Sequence, residues 1–335
     1  LNQEYDIGIR VEMGDSVGSG HFFRCLALAE ELTKKKRKII FITSSKNIKK
    51  YIKKNMAFLV LKGKNELERI KECKKLSLKI KFWIFDLPKV NRKYSFHLRK
   101  YNSAIIDDLG NMDVYSKFLF NGGIVKKFQK YNYNKNKTKL FLGPTYMILR
   151  KKFYENRNSK KNPKIQIKKI LLTFGGNDDK DLTSTILSLI NTQKYEITVL
   201  LGPTYKFTKK IQQISISSKN IKIISNSKDT STLFQKFDLV ITTPGITVYE
   251  LACLGIPTIL ISINEIQHEV AKAFQRIKFG KNFGFWQNNI LKLENMIESV
   301  NDTKTKKDMR ISGQKIVDGK GVLRISEIIN NFLRN

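Results

Sequence analysis

The feature that most constrains this chain is an alternation that runs along its length. A short β-branched apolar run is followed by a turn and then by a longer segment with helical spacing. The apolar runs are "DIGIRVE" (6–12), "KIIFIT" (38–43), "FWIFD" (82–86), "SAIIDD" (103–108), "KILLTFGG" (169–176), "EITVLLG" (196–202), "IKIIS" (221–225), "DLVITT" (238–243) and "PTILIS" (257–262). Most end in Gly, Asp, Ser or Thr, which suits parallel strands buried on both faces with loops at their carboxyl ends. Segments 21–36, 181–192, 246–254 and 265–277 read as helices between them. This rhythm predicts an α/β fold of doubly wound parallel sheets.

With 335 residues the chain can bury two separate cores. The rhythm breaks over the polar stretch 150–168, which predicts a linker between an N-terminal domain at 1–152 and a C-terminal domain at 166–335. Each half has a strand, a Gly-rich turn and a helix, at 7–32 and at 169–192. Two facing Rossmann-like domains would place a ligand in the cleft between their strand ends.

The hydrophobic content of 41% and aromatic content of 10% are those of a folded chain. No apolar run reaches the roughly 18 residues of a membrane helix. The sequence starts "LNQEYDIGIR", without Met and without the features of a signal peptide. The three cysteines, Cys25, Cys73 and Cys253, lack ligand spacing and sit in apolar surroundings. They read as buried, inert thiols of a reducing cytoplasm, and neither a metal nor a cofactor is expected.

A net charge of +34 suggests polyanions. Yet the lysines are dispersed, as in "KKKRK" (34–38) and "NIKKYIKKN" (47–55), with no aromatic interleaving and no nucleic-acid-binding motif. The balance predicts a solvated surface with no specific nucleic-acid partner, and at most a weak attraction to anionic membranes. A monomer is expected.

Three stretches carry candidate chemistry. In "VGSGHFFRCLALAEEL" (17–32), Gly18 and Gly20 loosen a turn and His21 stands in the first helical turn, with Arg24 on the same face. The positive end of a helix favours a neutral imidazole, the form a general base needs. In "LLTFGGNDDKDLT" (171–183), Gly175 and Gly176 let backbone N–H groups approach a phosphate. In "DLVITTPGITVYELACLGIPTIL" (238–260), Pro244-Gly245 turns a strand into a helix that carries Thr247 and Glu250 on one face. A carboxylate there can take both hydroxyls of a ribose while the turn receives a phosphate. No G-x-G-x-x-G fingerprint and no Walker A lysine motif is present.

Together with "GPTYMILRKKF" (143–153), these segments resemble the PseG family, UDP-2,4-diacetamido-2,4,6-trideoxy-β-L-altropyranose hydrolases related to the MurG-like GT-B glycosyltransferases. The matching positions are Arg10, the Gly18-Ser-Gly-His21-Phe-Phe-Arg24 turn, Asp107-Asp108, Gly143-Pro-Thr-Tyr146, Gly175-Gly176 and Glu265-Ile-Gln267. The resemblance extends in order from about residue 7 to 275. Glu12, Leu87-Pro-Lys89 and Ile266 depart from the family pattern near the expected sugar site.

The resemblance implies a GT-B-like fold, a UDP-sugar substrate and hydrolysis of the anomeric C–O bond by water, with inversion. His21 would be the base, and Asp15, in the same loop, would orient it. Arg10, Gly20, Arg24, Asp86, Asp108, Tyr146, Asn177, Glu265 and Gln267 would contact substrate. Gly175, Gly176 and Gly245 would receive the leaving diphosphate, and Thr247 and Glu250 the ribose. Asp86 and Asp107-Asp108 could instead brace the histidine turn. His97 reads as a surface or packing residue and His268 as a rim contact. The alternatives are a MurG-like UDP-sugar glycosyltransferase, with an acceptor hydroxyl replacing water, and a non-catalytic polyanion-binding protein.

Overall fold

The computed structural model describes residues 4–14, 19–75, 79–88, 92–159, 166–176, 178–202, 205–216, 218–225, 227, 229–287 and 292–334. It divides into two compact units, residues 1–150 with 320–335, and residues 151–319.

In the first unit the strands are β1 (Glu4–Val11), β2 (Ile39–Thr43), β3 (Ala57–Val60), β4 (Lys79–Asp86), β5 (Ser103–Ile106), β6 (Met112–Val114), β7 (Phe118–Asn121), β8 (Tyr131–Tyr133) and β9 (Lys139–Leu142). Seven of them form a sheet in the order β3-β2-β1-β4-β5-β7-β9, and β6 pairs with β8 apart from it. Every pairing of the large sheet is parallel. Alternation along the strands makes two cores. Ile7, Ile9, Val11, Ile39 and Phe41 face one layer, where Phe22, Cys25, Leu28 and Leu32 of helix α1 (Gly20–Lys34) pack. Ile40, Ile42, Trp83 and Phe85 face the other. Helices α2 (Glu66–Lys75) and α3 (Arg92–Leu98) complete the run of elements before β5. The order reverses between β1 and β4, so the loops after these two strands open at a topological switch point.

The second unit begins with the short helix α4 (Lys151–Glu155), whose Phe153 is fully buried. Its strands are β10 (Lys169–Thr173), β11 (Glu196–Leu201), β12 (Ile221–Ser225), β13 (Leu239–Thr242), β14 (Thr258–Ser262) and β15 (Lys281–Phe285). They form a parallel sheet ordered β12-β11-β10-β13-β14-β15, with its switch point between β10 and β13. Helices α5 (Leu182–Leu187), α6 (Thr208–Ile216), α7 (Thr230–Phe234), α8 (Ile246–Leu254), α9 (Glu265–Arg276), α10 (Lys292–Val300) and α11 (Thr303–Ile316) follow in order. α8 is apolar on nearly all sides and buried, as its sequence demands. Gly255, at φ +68°, ends it in the left-handed conformation that glycine accepts without strain.

The expected boundary at 335 differs from the observed one. The last helix, α12 (Gly321–Phe332), belongs to the first unit, where Val322, Ile325 and Ile329 enter the α1 core and Phe332 packs on Phe82 and Phe118. Its apolar face is completed by residues from the far end of the chain, which no local pattern displays. Part of the expected linker is helical as α4, and residues 160–165 lie outside the described residues. Among the described residues no helix is long and apolar enough to cross a membrane.

Candidate active site

The first unit gathers its chemistry where β1 and β4 end side by side, with Val11 opposite Asp86 in the ladder. α1 starts there without a side-chain cap at Ser19, and places His21 in its first turn and Arg24 one turn further on. Asp86, the last residue of β4, has no exposed surface. It accepts two hydrogen bonds from Arg24, from Nε and Nη2, both at 2.6 Å. The Cys25 thiol donates to it at 3.3 Å, and His21 Nδ1 lies 2.6 Å from its Oδ1.

Burial opposes charge on Asp86, but the Arg24 guanidinium, and then His21, hold its carboxyl well below the usual carboxylate range. Arg24 resists deprotonation even more than a free guanidinium: its own burial opposes the charge, but Asp108 and Asp86 overcome that effect. Burial and the Asp86 charge push the Cys25 thiol up, so it stays a protonated donor. His21 Nδ1 also lies 3.0 Å from Arg24 Nη2. The shorter contact is to the carboxylate, which can only accept, so the ring proton is placed on Nδ1 and Arg24 Nη2 donates to Asp86. Nε2 then carries the lone pair, and no partner occupies it among the described residues. The His21 side chain retains 22% of its exposure.

Arg24 also donates to Asp108 at 2.8 Å. Asp108 is 41% exposed and shares a recess with Arg24, Phe120, Tyr146 and Met147. The structure therefore brings His21, Asp86, Arg24, Asp108 and Tyr146 together, and Gly20 begins the helix beneath them. It changes the roles of two expected substrate contacts. Asp86 has no exposed surface and Arg24 is almost fully buried, so the contacts the structure gives them are to each other, to His21 and to Asp108. Asp86 also occupies the orienting position expected of Asp15, which lies, with Gly18, outside the described residues.

Arg10 is corrected as well. It is 2% exposed and donates to Glu12, to Glu66 and to the carbonyls of Val11 and Ile42. Glu12 accepts from Ser44 N–H and Thr43 Oγ1. Burial works against the Glu12 charge, but Arg10 and Ser44 hold its carboxyl below the ordinary range. This is a buried ion-pair network that ties β1 to β2 and α2. Asp107 serves its own turn, accepting from Leu109 N–H, Gly110 N–H and Tyr131 Oη.

In the second unit Thr173 of β10 pairs with Thr242 of β13, so the turns carrying Gly175-Gly176 and Gly245 leave adjacent strands. Gly175 (φ +85°) and Gly245 face open space where a Cβ would stand, so no packing inside the chain demands either glycine. Gly202 is the opposite case: a Cβ there would lie 2.2 Å from the Gly176 carbonyl. Gly202→Ala should therefore displace the Gly175-Gly176 turn and lower stability by about 1–3 kcal/mol, measured by urea unfolding.

The start of the helix after Gly175-Gly176 has its own partners. α5 is only six residues long, and its first N–H groups already bind Asp178 and Asp181. Asn177 lies outside the described residues. α8, by contrast, starts at Gly245 with no side-chain cap, whereas α7, α9 and α11 are capped by Asp229, Asn264 and Asp302. Thr247 and Glu250 sit on its partly exposed side.

Glu265 is exposed in the first turn of α9. Gln267 is engaged locally, since its N–H donates to Asn264 Oδ1 at 3.0 Å and its Oε1 accepts from Ile263 N–H at 3.1 Å. Its side-chain amide nitrogen, a donor only, has no partner among the described residues. His268 packs its ring on Phe285, with centroids 4.6 Å apart. Among the described residues no cluster of His, Cys, Asp or Glu is arranged to hold a metal ion.

Comparison with known proteins agrees with this architecture. Residues 169–322 match the Glycosyltransferase family 28 C-terminal domain. The crystal structure of MurG from Acinetobacter baumannii superposes with a TM-score of 0.65 at 13% identity, covering 97% of this chain and 99% of that one. Anabaena Alr3699/HepE in complex with UDP-glucose gives 0.58 at 10% identity, covering 98% and 99%. The fold is thus that of the GT-B glycosyltransferases, α/β with a parallel sheet in each of two domains.

Two relatives are similar in sequence. The uncharacterized protein MJ1062 of Methanocaldococcus jannaschii is 31% identical over 277 residues, which cover 78% of this chain but 57% of that protein. The spore coat polysaccharide biosynthesis protein SpsG of Bacillus subtilis is 23% identical over 340 residues, covering 97% of this chain and 98% of that protein.

Proposed function

We propose that the protein hydrolyses a UDP-linked sugar at the anomeric C–O bond, releasing UDP and a free acylamino-deoxyhexose of the kind used for nonulosonic acids such as pseudaminic acid. The observation that carries this reading is the His21–Asp86 pair: a buried, ionised carboxylate holding one ring nitrogen while the other is free to take a proton. His21 Nε2 accepts a proton from water as the water oxygen bonds to the anomeric carbon. The C–O bond to the diphosphate breaks with its electron pair going to UDP, and a single displacement inverts the centre. Asp86 stabilises the imidazolium that forms, as the carboxylate of a triad does.

In the second unit the uncapped start of α8 at Gly245 takes the diphosphate. Glu250 takes the ribose hydroxyls, and Glu265 and the Gln267 amide face the sugar. The family 28 match and the UDP-glucose complex of the Anabaena protein support a nucleotide-sugar ligand. The relative named for polysaccharide biosynthesis fits an activated-sugar pathway.

Gly245→Ala should leave stability within about 1 kcal/mol of wild type, because the added methyl meets nothing. The same change should weaken UDP binding about tenfold by titration calorimetry. Incubation with a panel of UDP-sugars in ¹⁸O-water tests the reaction itself. Free UDP with the label on the sugar is the expected result, and label on phosphate would refute C–O cleavage. A second reading, transfer to an acceptor hydroxyl, is consistent with the family 28 match, and turnover only in the presence of an acceptor would establish it instead.

A further inference from the structure

Four side chains of the first unit form one electrostatic group: His21 and Arg24 of α1, Asp86 at the end of β4, and Asp108 in the turn after β5. Arg24 stands in the middle of it. Its Nε and Nη2 donate to Asp86, its Nη1 donates to Asp108 at 2.8 Å, and its Nη2 lies 3.0 Å from His21 Nδ1. A fixed turn presents Asp108 to it. The neighbouring Asp107 accepts from Gly110 N–H at 2.6 Å and from Tyr131 Oη at 2.7 Å. Gly110 takes the left-handed φ of +69°, and a Cβ there would lie 2.6 Å from the Phe128 carbonyl.

The charges of this group do not balance while the ring is neutral. One guanidinium faces two carboxylates, which leaves one negative charge in excess. Protonation of His21 brings the sum to zero. Without Asp108, Arg24 and Asp86 would already cancel, and an imidazolium would be an uncompensated cation beside a guanidinium. Charges withdrawn from water favour the balanced arrangement, so Asp108 decides which protonation state of the ring is the balanced one. Asp108 is 41% exposed, so water screens part of its effect. The other groups nearby do not upset the count. Arg10 and Arg69 pair with Glu12 and Glu66 at the end of β1 and the start of α2, two cations against two carboxylates. The Cys25 thiol is a neutral donor, and Tyr146, beside Asp108 in the recess, is a neutral phenol. Asp107, engaged by its own turn, adds charge of the same sign as Asp108.

We infer that Asp108 is a positioning residue for the proton transfer: it offsets the charge of Arg24 and, through Arg24, raises the proton affinity of His21. This gives Asp108 a task other than the sugar contact that the family resemblance implies. The use made of the proton rests on the hydrolytic reading above, whereas the electrostatic link is a property of the free protein.

Proton NMR titration of the full chain tests the link without a substrate. The chain has three histidines, His21, His97 and His268, and His21→Ala assigns the resonance of the first. Asp108→Asn keeps an acceptor for Arg24 but removes the charge, and the proton affinity of His21 should fall about threefold to tenfold. Asp108→Ser, which removes the same charge, should repeat the fall, and Asp108→Glu should restore the parent value. His97 and His268 should titrate as in the parent, which also reports an intact fold. In turnover of a UDP-sugar, the acid limb of the Asp108→Asn pH–rate profile should move to lower pH. Its kcat should fall about threefold with KM near the parent value. An unchanged His21 titration in both charge-removing variants, or a raised KM with an unmoved acid limb, would overturn the inference and return Asp108 to the role of a sugar contact. A lowered His21 proton affinity without release of UDP from any UDP-sugar would support the link and overturn the hydrolytic reading.

Discussion

Replacing Arg24 by methionine should lower the unfolding free energy by about 3–5 kcal/mol. The substitution keeps much of the side-chain volume but strands Asp86, which has no exposed surface and loses its two 2.6 Å hydrogen bonds from the guanidinium. Among the described residues, His21 and the Cys25 thiol would remain its only side-chain partners, too few for a buried charge. Urea unfolding at neutral pH measures the loss.

The pH dependence gives a second signature of the same pair. Because the folded protein holds the Asp86 carboxyl below its ordinary value of 3.8, the pair's contribution to stability is complete above that value. It is lost progressively as pH falls toward the depressed folded value. In Arg24→Met the depression should shrink, so the variant should show a weaker decline of stability in acid than the parent. A variant as stable as the parent, with the same acid profile, would remove the electrostatic account of the site.

Replacing His21 by alanine should reduce UDP-sugar hydrolysis by about 10² to 10⁴-fold. The ring is partly exposed and its Nδ1–H is one of several hydrogen bonds to Asp86, so the fold should tolerate the loss. The melting temperature should change little, and UDP affinity should stay near the parent value because the groups assigned to UDP lie in the other unit. Steady-state release of UDP and calorimetric titration separate the two effects. Retention of full turnover would remove His21 from the proton transfer and leave Asp108, the exposed acid of the same cluster, as the next residue to test.

Much of the fold was legible locally. Every one of these apolar runs coincides with a parallel strand, mostly because a strand buried on both faces must be apolar along its whole length; β12, at the sheet edge, is the partly exposed exception. Among the described residues six strands lie outside those runs: β3, β7 and β9 are apolar stretches of only four residues, and the other three are shorter or polar. β6 and β8 have three residues each, and β15 reads "KNFGF", with a glycine at φ +93° interrupting it. α5 stops at Leu187, short of the expected 192, where Ser188 caps it.

The candidate site was legible in part. His21, Gly245 and Glu250 announce themselves through turn-to-helix junctions that lie within one short segment. Asp86 was visible as a strand-end acid, but its bond to His21 spans 65 positions in the sequence. That contact exists only because β1 and β4 are neighbours at the switch point of the sheet. The strand order 3-2-1-4 makes such a pairing predictable in principle, since whatever ends the fourth strand stands beside the helix that follows the first.

By itself, then, the sequence determined the class of fold and the position of the histidine turn, because strand burial, helix starts and glycine turns are written in contiguous residues. The tertiary structure alone decided the rest. It turned Arg10, Arg24 and Asp86 from expected ligand contacts into buried ion pairs, filled the start of α5 with Asp178 and Asp181, and returned α12 to the first unit. The physical reason is common to all of these. A charge acquires its role from the partners that desolvation forces on it, and those partners come from strands and helices far apart in the chain.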